Sequence, residues 1–277
     1  MKTFAEQKAL IGQLNLMDDL FFHKVAEDKA ACEEILRIIL KKPDLTVQEC
    51  QPQRYLRNVD AHSAVLDVLC TDESGRLFNI EVQKQDNDLH QRRVRFNISN
   101  IDTAFIEKGL HYKDFPDVCV VFISKFDIFE MNRTLYHVRR IIDDSDKFVE
   151  NGTHEIYVNT AINDGSDIAE LMQYFINSSG YNENFKAVCN RVNYLKEVKE
   201  GVNSMSSVIE QYAQRYHEEK MRDANVIEEY KNKCVNEELN IAAEKMLKEG
   251  IALETIARVL PSLSTETLQQ LQKSVSA

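Results

Sequence analysis

Two short apolar runs, 65-VLDVLC-70 and 77-LFNIEVQ-83, flank the turn signal 72-DESG-75, and this pairing constrains the chain more than any other feature. Apolar and polar positions alternate in both runs, which marks them as strands, and Gly75 ends a tight hairpin loop. A three-residue loop with its glycine in the left-handed conformation would occupy residues 73–75. Asp72 then faces Arg76, and counting outward sets Asp67 opposite Glu81. Side chains alternate along a strand, so Gln83 shares the face of Glu81. A one-residue slip would separate the two acids. Directly opposed like charges destabilise a sheet unless something neutralises them, and a divalent cation would do so. The competing reading is an ordinary solvated face, which many antiparallel sheets have. Against it, Val65, Leu69 and Leu77 fall on the same face as the acids and imply a half-buried acidic pocket.

The 277 residues suffice for one large domain or two small ones, with 43% hydrophobic and 29% charged residues in the range of globular proteins. No apolar run approaches the length of a membrane span, and the N-terminus lacks a signal-like apolar stretch. A cytoplasmic, non-membrane protein is expected. The cysteines Cys32, Cys50, Cys70, Cys119, Cys189 and Cys234 include no CxxC pair. They read as reduced, mostly buried thiols rather than a disulfide framework or a zinc site. A net charge of −11 argues against nonspecific coating of nucleic acid. It does not exclude a local basic patch, and 92-RRVR-95 with Lys84 is one candidate. Arg139 and Arg140 form a smaller cluster. A solvated helix face explains either cluster equally well.

Residues 17–42 read as helix, with a break expected near Asp28, a cap at Asp18 or Asp19, and Cys32, Ile35, Leu36 and Ile39 facing inward. A strand is expected at 46–56, then the hairpin. A helix over 88–108 follows, with Asp88 as cap, Gly109 as stop and Val94, Ile98, Ile101 and Phe105 as its buried stripe. The run 117-DVCVVFIS-124 suits a strand covered on both faces. A further strand at 154–160 and helices at 167–177 and 184–196 come next. From about residue 197 the composition becomes charged and helical. Residues 203–248 read as one or two long helices, with a stripe of Met205, Val208, Ile209, Tyr212 and Tyr216. Three short helices fill 239–272, punctuated by Gly250 and Pro261 and capped by Ser264.

The order helix, three strands, helix, strand, with Asp67 and Glu81-Val82-Gln83 on adjacent strands, resembles the PD-(D/E)XK nuclease superfamily. Within it the chain is similar to the PD-(D/E)XK nuclease family transposases, related to recombination-promoting nucleases. The resemblance rests on 19-DLFFHKV-25, 66-LDVLCTDESGRLFNIEVQ-83, 91-QRRVRFNISNID-102, 108-KGLHYKDFPDVCVVFISKFDIF-129 and 154-HEIYVN-159. It implies an α/β (α+β) fold: a restriction-endonuclease-like αβββαβ core, with a mixed central sheet flanked by helices, and an α-helical C-terminal tail. Residues 1–196 would form the nuclease-like domain and 197–277 the helical region. The implied activity is metal-dependent DNA endonuclease cleavage of a mobile-element or recombination type, with Mg²⁺ (or Mn²⁺) as cofactor.

By position, Asp67 and Glu81 would bind the metal. Gln83 occupies the slot that is lysine in most of the superfamily, and Asp19 matches an acid that can hold a metal-bound water. Arg92, Arg93, Arg95 and Lys84 would meet the phosphates. Three departures stand out: Leu66 replaces the proline of the superfamily name, Gln83 cannot supply a lysine's charge, and Phe96-Asn97 replaces two aromatics. The alternative to an active nuclease is a nuclease-fold scaffold that binds nucleic acid or protein without cutting. A third reading makes the helical tail, residues 203–277, a site of homo-oligomerisation. The would-be recognition helix 264-STETLQQLQK-273 holds one lysine and one glutamate, too little positive charge for a DNA reader, so partner binding is the favoured role for the tail.

Overall fold

The computed structural model describes residues 3–56, 64–86, 90–106, 109–211, 213, 239–248 and 253–276. Contacts divide the chain into two units, one running to Ile209 and one from Glu210 onward. Helix α1 (Phe4–Gly12) opens the first unit behind a reciprocal cap between Thr3 and Glu6. The expected 17–42 helix is two helices, α2 (Asp19–Val25) and α3 (Lys29–Leu40). Asp28 makes the break, because its carboxylate accepts the Ala30 amide and restarts the helix. Asp18 stands at the N-cap of α2 but does not cap it. Its oxygens take the Asn15 amide and the Lys84 ammonium instead.

Strands β1 (Val47–Leu56), β2 (Ala64–Asp72), β3 (Leu77–Gln83), β4 (Val118–Ser124), β5 (Leu135–Val138) and β6 (Thr153–Asn159) form one mixed sheet in the order β1-β2-β3-β4-β6-β5. The β1, β2 and β3 neighbours are antiparallel, β3-β4-β6 are parallel, and β5 closes the edge antiparallel to β6. Every residue of β4 is buried, as its unbroken apolar run requires of a strand covered on both faces. The short edge strand β5 has no counterpart in the sequence reading. Helix α4 (His90–Phe105) crosses from β3 to β4, and α5 (Asp167–Asn177) and α6 (Lys186–Glu197) complete the layer opposite it. Asp88, expected to cap α4, lies outside the described residues.

The sheet separates two cores. On one face Val68, Cys70, Phe78, Ile80, Val121 and Ile123 pack with apolar side chains of α1, α2, α3, α5 and α6. On the other, Leu69, Leu77, Val120 and Phe122 meet Val94, Ile98 and Ile101 of α4. The helical residues 199–209 belong with the first core, where Val202 and Met205 are buried and Ile209 packs against it. Part of the expected 203–248 stripe therefore finds its partner there, whereas Tyr212, Tyr216 and residues 214–238 lie outside the described residues.

The second unit has its own small core. Residues 239–248, Leu253–Val259 and Thr265–Ser276 are helical, and Ala243, Ile256, Leu263 and Leu268 are buried together. Ser264 accepts the Thr267 amide, the cap expected of it. Among the described residues no helix is long and apolar enough to cross a membrane.

Candidate active site

The β2-β3 hairpin sets the site. Gly75 adopts φ +80°, the Asp72 amide donates to the Arg76 carbonyl, and Val68 pairs with Ile80, Leu69 with Asn79, Cys70 with Phe78 and Thr71 with Leu77. This is the register expected from the loop, and it carries Asp67 opposite Glu81. Regular pairing stops at Val68 and Ile80. Beyond them the Asp67 amide donates to Glu81 Oε1 (3.1 Å) and the Val82 amide to Asp67 Oδ2 (2.9 Å). The two carboxylates thus take over the hydrogen bonds that a continued ladder would supply.

The strand bends at this point. Leu66 and Val68, which strict alternation would set together, belong to different cores. The facing strand β1 bends too, with Gln53 at φ +51°. Val65, expected beside Leu69 on the acid face, is consequently 45% exposed. Leu69 and Leu77 are buried as expected.

Glu81 is fully buried, and a polar network surrounds it on the α4 side. Its Oε1 also accepts Asn79 Nδ2 at 2.9 Å, and its Oε2 accepts Arg93 at 3.0 Å. Arg93 donates a second bond to Gln83 Oε1 at 2.7 Å, so one guanidinium joins two of the expected site residues. Gln83 Nε2 donates to the Gln85 carbonyl. Asn79 is itself held by the Val68 carbonyl and by Asn97 Nδ2. Asn97 stands where an aromatic was expected, and its amide donates to Asn79 Oδ1 at 3.3 Å. Phe96 beside it is 40% exposed.

Burial of the carboxyl, then repulsion from Asp67, pushes the Glu81 pKa from 4.5 up to about 7, against the opposing pull of Arg93, Asn79 and the Asp67 amide. Asp19 lies at the first turn of α2. Its carboxyl is also shifted upward, first by local burial and next by the Asp67 charge, although the residue as a whole is exposed. Asp19 thus shares the electrostatic field of the site.

His23, one turn further along α2, approaches Asp67 Oδ1 through Nε2 at 3.3 Å, while its Nδ1 meets Gln53 Nε2 at 2.9 Å. The sequence reading singled out neither His23, Gln53 nor Asn79. For Asn79 a signal existed, a polar residue two positions before Glu81 on the same strand face.

The basic residues divide. Arg93 turns inward and is committed to Glu81 and Gln83, whereas Arg92 and Arg95 are exposed on α4. Lys84 pairs with Asp18 and so ties the end of β3 to the start of α2. Arg139 and Arg140 line a separate cavity of about 290 Å³ with Lys42, Arg76, Asp117, Glu150 and Glu155, and neither Asp67 nor Glu81 lines it.

Around Asp67 and Glu81, no three described acid or histidine side chains bring ligand atoms within 4.8 Å of one another. The donor set is two carboxylates with the amide oxygen of Gln83 nearby. Such hard oxygen donors suit a magnesium-type cation, which keeps much of its water.

A mixed sheet flanked by helices, with two acids facing each other where two strands part, defines a PD-(D/E)XK nuclease-like fold. The model of the PD-(D/E)XK nuclease family transposases matches residues 19–159, just over half of the chain, and the chain belongs to that family. No curated protein and no solved structure matches it. Membership points to a nuclease or transposition-related function, and nucleases of this class generally use divalent metals and act on DNA.

Proposed function

We propose that the chain is a divalent-metal-dependent DNA endonuclease of the transposase or recombination-promoting type. Asp67 and Glu81 would hold the ion, Mg²⁺ or Mn²⁺. The observation that carries this reading is the buried Glu81 carboxylate held directly against Asp67, with its pKa raised to about 7. A fold that buries Glu81 beside a half-buried Asp67 accepts a cost of several kcal/mol, which a bound cation offsets. When bound, such an ion supplies Lewis-acid stabilisation of phosphoryl charge and lowers the pKa of a water.

The chain's own residues do the rest. His23, braced by Gln53, fixes the orientation of Asp67. Asn79 and the Asp67 amide fix Glu81 Oε1. Gln83 is neutral and would orient a water or a phosphate oxygen through its amide. Asp19 would hold a further water at the α2 side. Arg92 and Arg95, exposed on α4, and Lys84, at the end of β3, would bind DNA phosphates. Residues 1–196 would carry this activity. Residues 197–277, with the small helical core of the second unit, would serve partner binding or self-association.

One observation favours the alternative, a nuclease-fold scaffold that does not cut. Arg93 already pairs with Glu81 and engages Gln83, so a resident cation stands where the metal is needed. The two readings part in a nuclease assay on plasmid and linear DNA with Mg²⁺, Mn²⁺ or EDTA. The endonuclease reading expects cleavage with either ion and none in EDTA. It also expects Gln83→Lys to keep or raise activity, because a cation near the developing charge stabilises the transition state. No cleavage by the wild type under either ion, unrescued by Gln83→Lys, leaves the scaffold reading.

A further inference from the structure

Cys32, Cys50 and Cys70 are separated by 18 and 20 residues, and nothing in that spacing suggests a site. The fold brings their sulfurs within 4.8 Å of one another. Cys50 and Cys70 are direct partners across β1 and β2, with sulfurs 3.1 Å apart. Cys32 comes down on them from α3, which packs on β1. Cys32 and Cys70 are buried, whereas Cys50 is half-buried and gives the cluster its access to solvent. All three stand on regular elements, which hold ligands more precisely than loops do. The remaining described cysteines, Cys119 and Cys189, are not part of the group.

We propose that this cluster is a binding site for one thiophilic d¹⁰ metal ion, Zn²⁺ or Cu⁺, ligated by the sulfurs of Cys32, Cys50 and Cys70. With metal–sulfur bonds of about 2.3 Å, three sulfurs around one ion lie about 4 Å apart. The observed spread reaches that geometry with small side-chain adjustments. The group contains no histidine and no carboxylate. Thiolates select soft ions over magnesium and calcium, so this site and the Asp67–Glu81 pair take different metals. Binding displaces the thiol protons of the ligating cysteines to solvent. The bound ion would join α3 to β1 and β2, the latter three residues from Asp67.

The test uses the full-length chain, reduced and free of oxygen. Cd²⁺ is the probe, read by its thiolate-to-metal charge-transfer absorption, and Zn²⁺ and Cu⁺ are competitors. The expected result is saturation at one equivalent, displacement by Zn²⁺ or Cu⁺, and no displacement by Mg²⁺. Cys50→Ser is the first variant, since Cys50 is the least buried of the three and the change is nearly isosteric. It should weaken binding by more than the roughly 10- to 100-fold typical of losing an outer-shell partner. Cys119→Ser and Asp67→Asn should bind as the wild type does. If Cys50→Ser does not fold, the sulfur neighbours of the wild-type-bound ion are counted by X-ray absorption, with three expected. Absence of the charge-transfer band would overturn the proposal, as would binding that survives Cys50→Ser or an ion with fewer than three sulfurs. A Cys50–Cys70 disulfide in the purified chain that, once reduced, takes up no metal would overturn it too.

Discussion

The two faces of the sheet are built on different terms. The face covered by α1, α2, α3, α5 and α6 is a broad apolar core, whose main buried polar groups are Ser178 and Lys196, the lysine donating to the Gly12 and Ser178 carbonyls. The face under α4 is narrower, and next to its apolar cluster it buries Asn79, Glu81 and Asn97. Every side-chain polar atom of Asn79 and Glu81 has a partner, and Glu81 accepts three donors. Buried amides and carboxylates seldom stabilise a fold relative to well-packed apolar residues. The first face is therefore what holds the domain together, and the second gives up stability to hold a charged group in place. The broken alternation at Asp67 belongs to the same pattern, because the bend lets an acid of β2 meet α2 while its neighbour on β3 meets α4.

The largest expected effect lies on the first face. Phe175→Ala empties a fully buried ring site there and should cost about 3–5 kcal/mol in urea unfolding. The variant should keep the divalent-ion response of whatever fraction remains folded. If Phe175→Ala abolishes ion binding in the folded protein, the separation of the two faces fails.

Next comes the pH dependence of the second face. Glu81 titrates at 4.5 ordinarily and at about 7 in the fold, so between these values the native state holds more protons than the unfolded chain. Stability from this group is fully present below about pH 4.5 and is lost as pH rises through 7. In metal-free protein, Glu81→Gln should flatten that slope and raise stability at pH 8 by about 1–3 kcal/mol, while removing divalent-ion binding. A Glu81→Gln variant less stable than wild type at pH 8 would mean that Arg93 already compensates the charge in full.

Arg93→Ala probes that compensation. Arg93 is partly exposed, so its loss should cost only about 1 kcal/mol. Mn²⁺ affinity, measured by calorimetry, should rise because a competing cation has gone. Weaker Mn²⁺ binding would show that Arg93 organises the site. Smallest of all is Arg92→Ala, an exposed change on α4 expected to shift stability by less than about 0.5 kcal/mol. It should lower DNA affinity and reduce the salt slope by about 1.

The hairpin was legible in the sequence because its turn chemistry is local: 73-ESG-75 fixes the loop, and the loop fixes which residues oppose. The unbroken apolar run of β4 and the Ser264 cap were legible for the same reason. Arg93 was not. It precedes the stripe residue Val94, and helical periodicity alone set it with Arg92 and Arg95 rather than against Glu81. His23 and Gln53 reach Asp67 only through tertiary packing and a left-handed backbone at Gln53, which no local pattern announces. The thiol cluster is the extreme case, three residues joined by pairing register and helix docking alone. Helix α1 was missed because it buries only Ile11 and so carries little periodic signal. β5 was missed as a four-residue edge strand.

The central claim is that the opposed acids Asp67 and Glu81 form a divalent-cation site. Titration calorimetry with Mn²⁺ on wild type, Asp67→Asn and Glu81→Gln tests it most directly, with circular dichroism confirming that each variant is folded. Saturable binding to wild type is expected, displaced by Mg²⁺ and abolished by both substitutions. Equal binding by wild type and the two folded variants, or no binding by any of them, would contradict it.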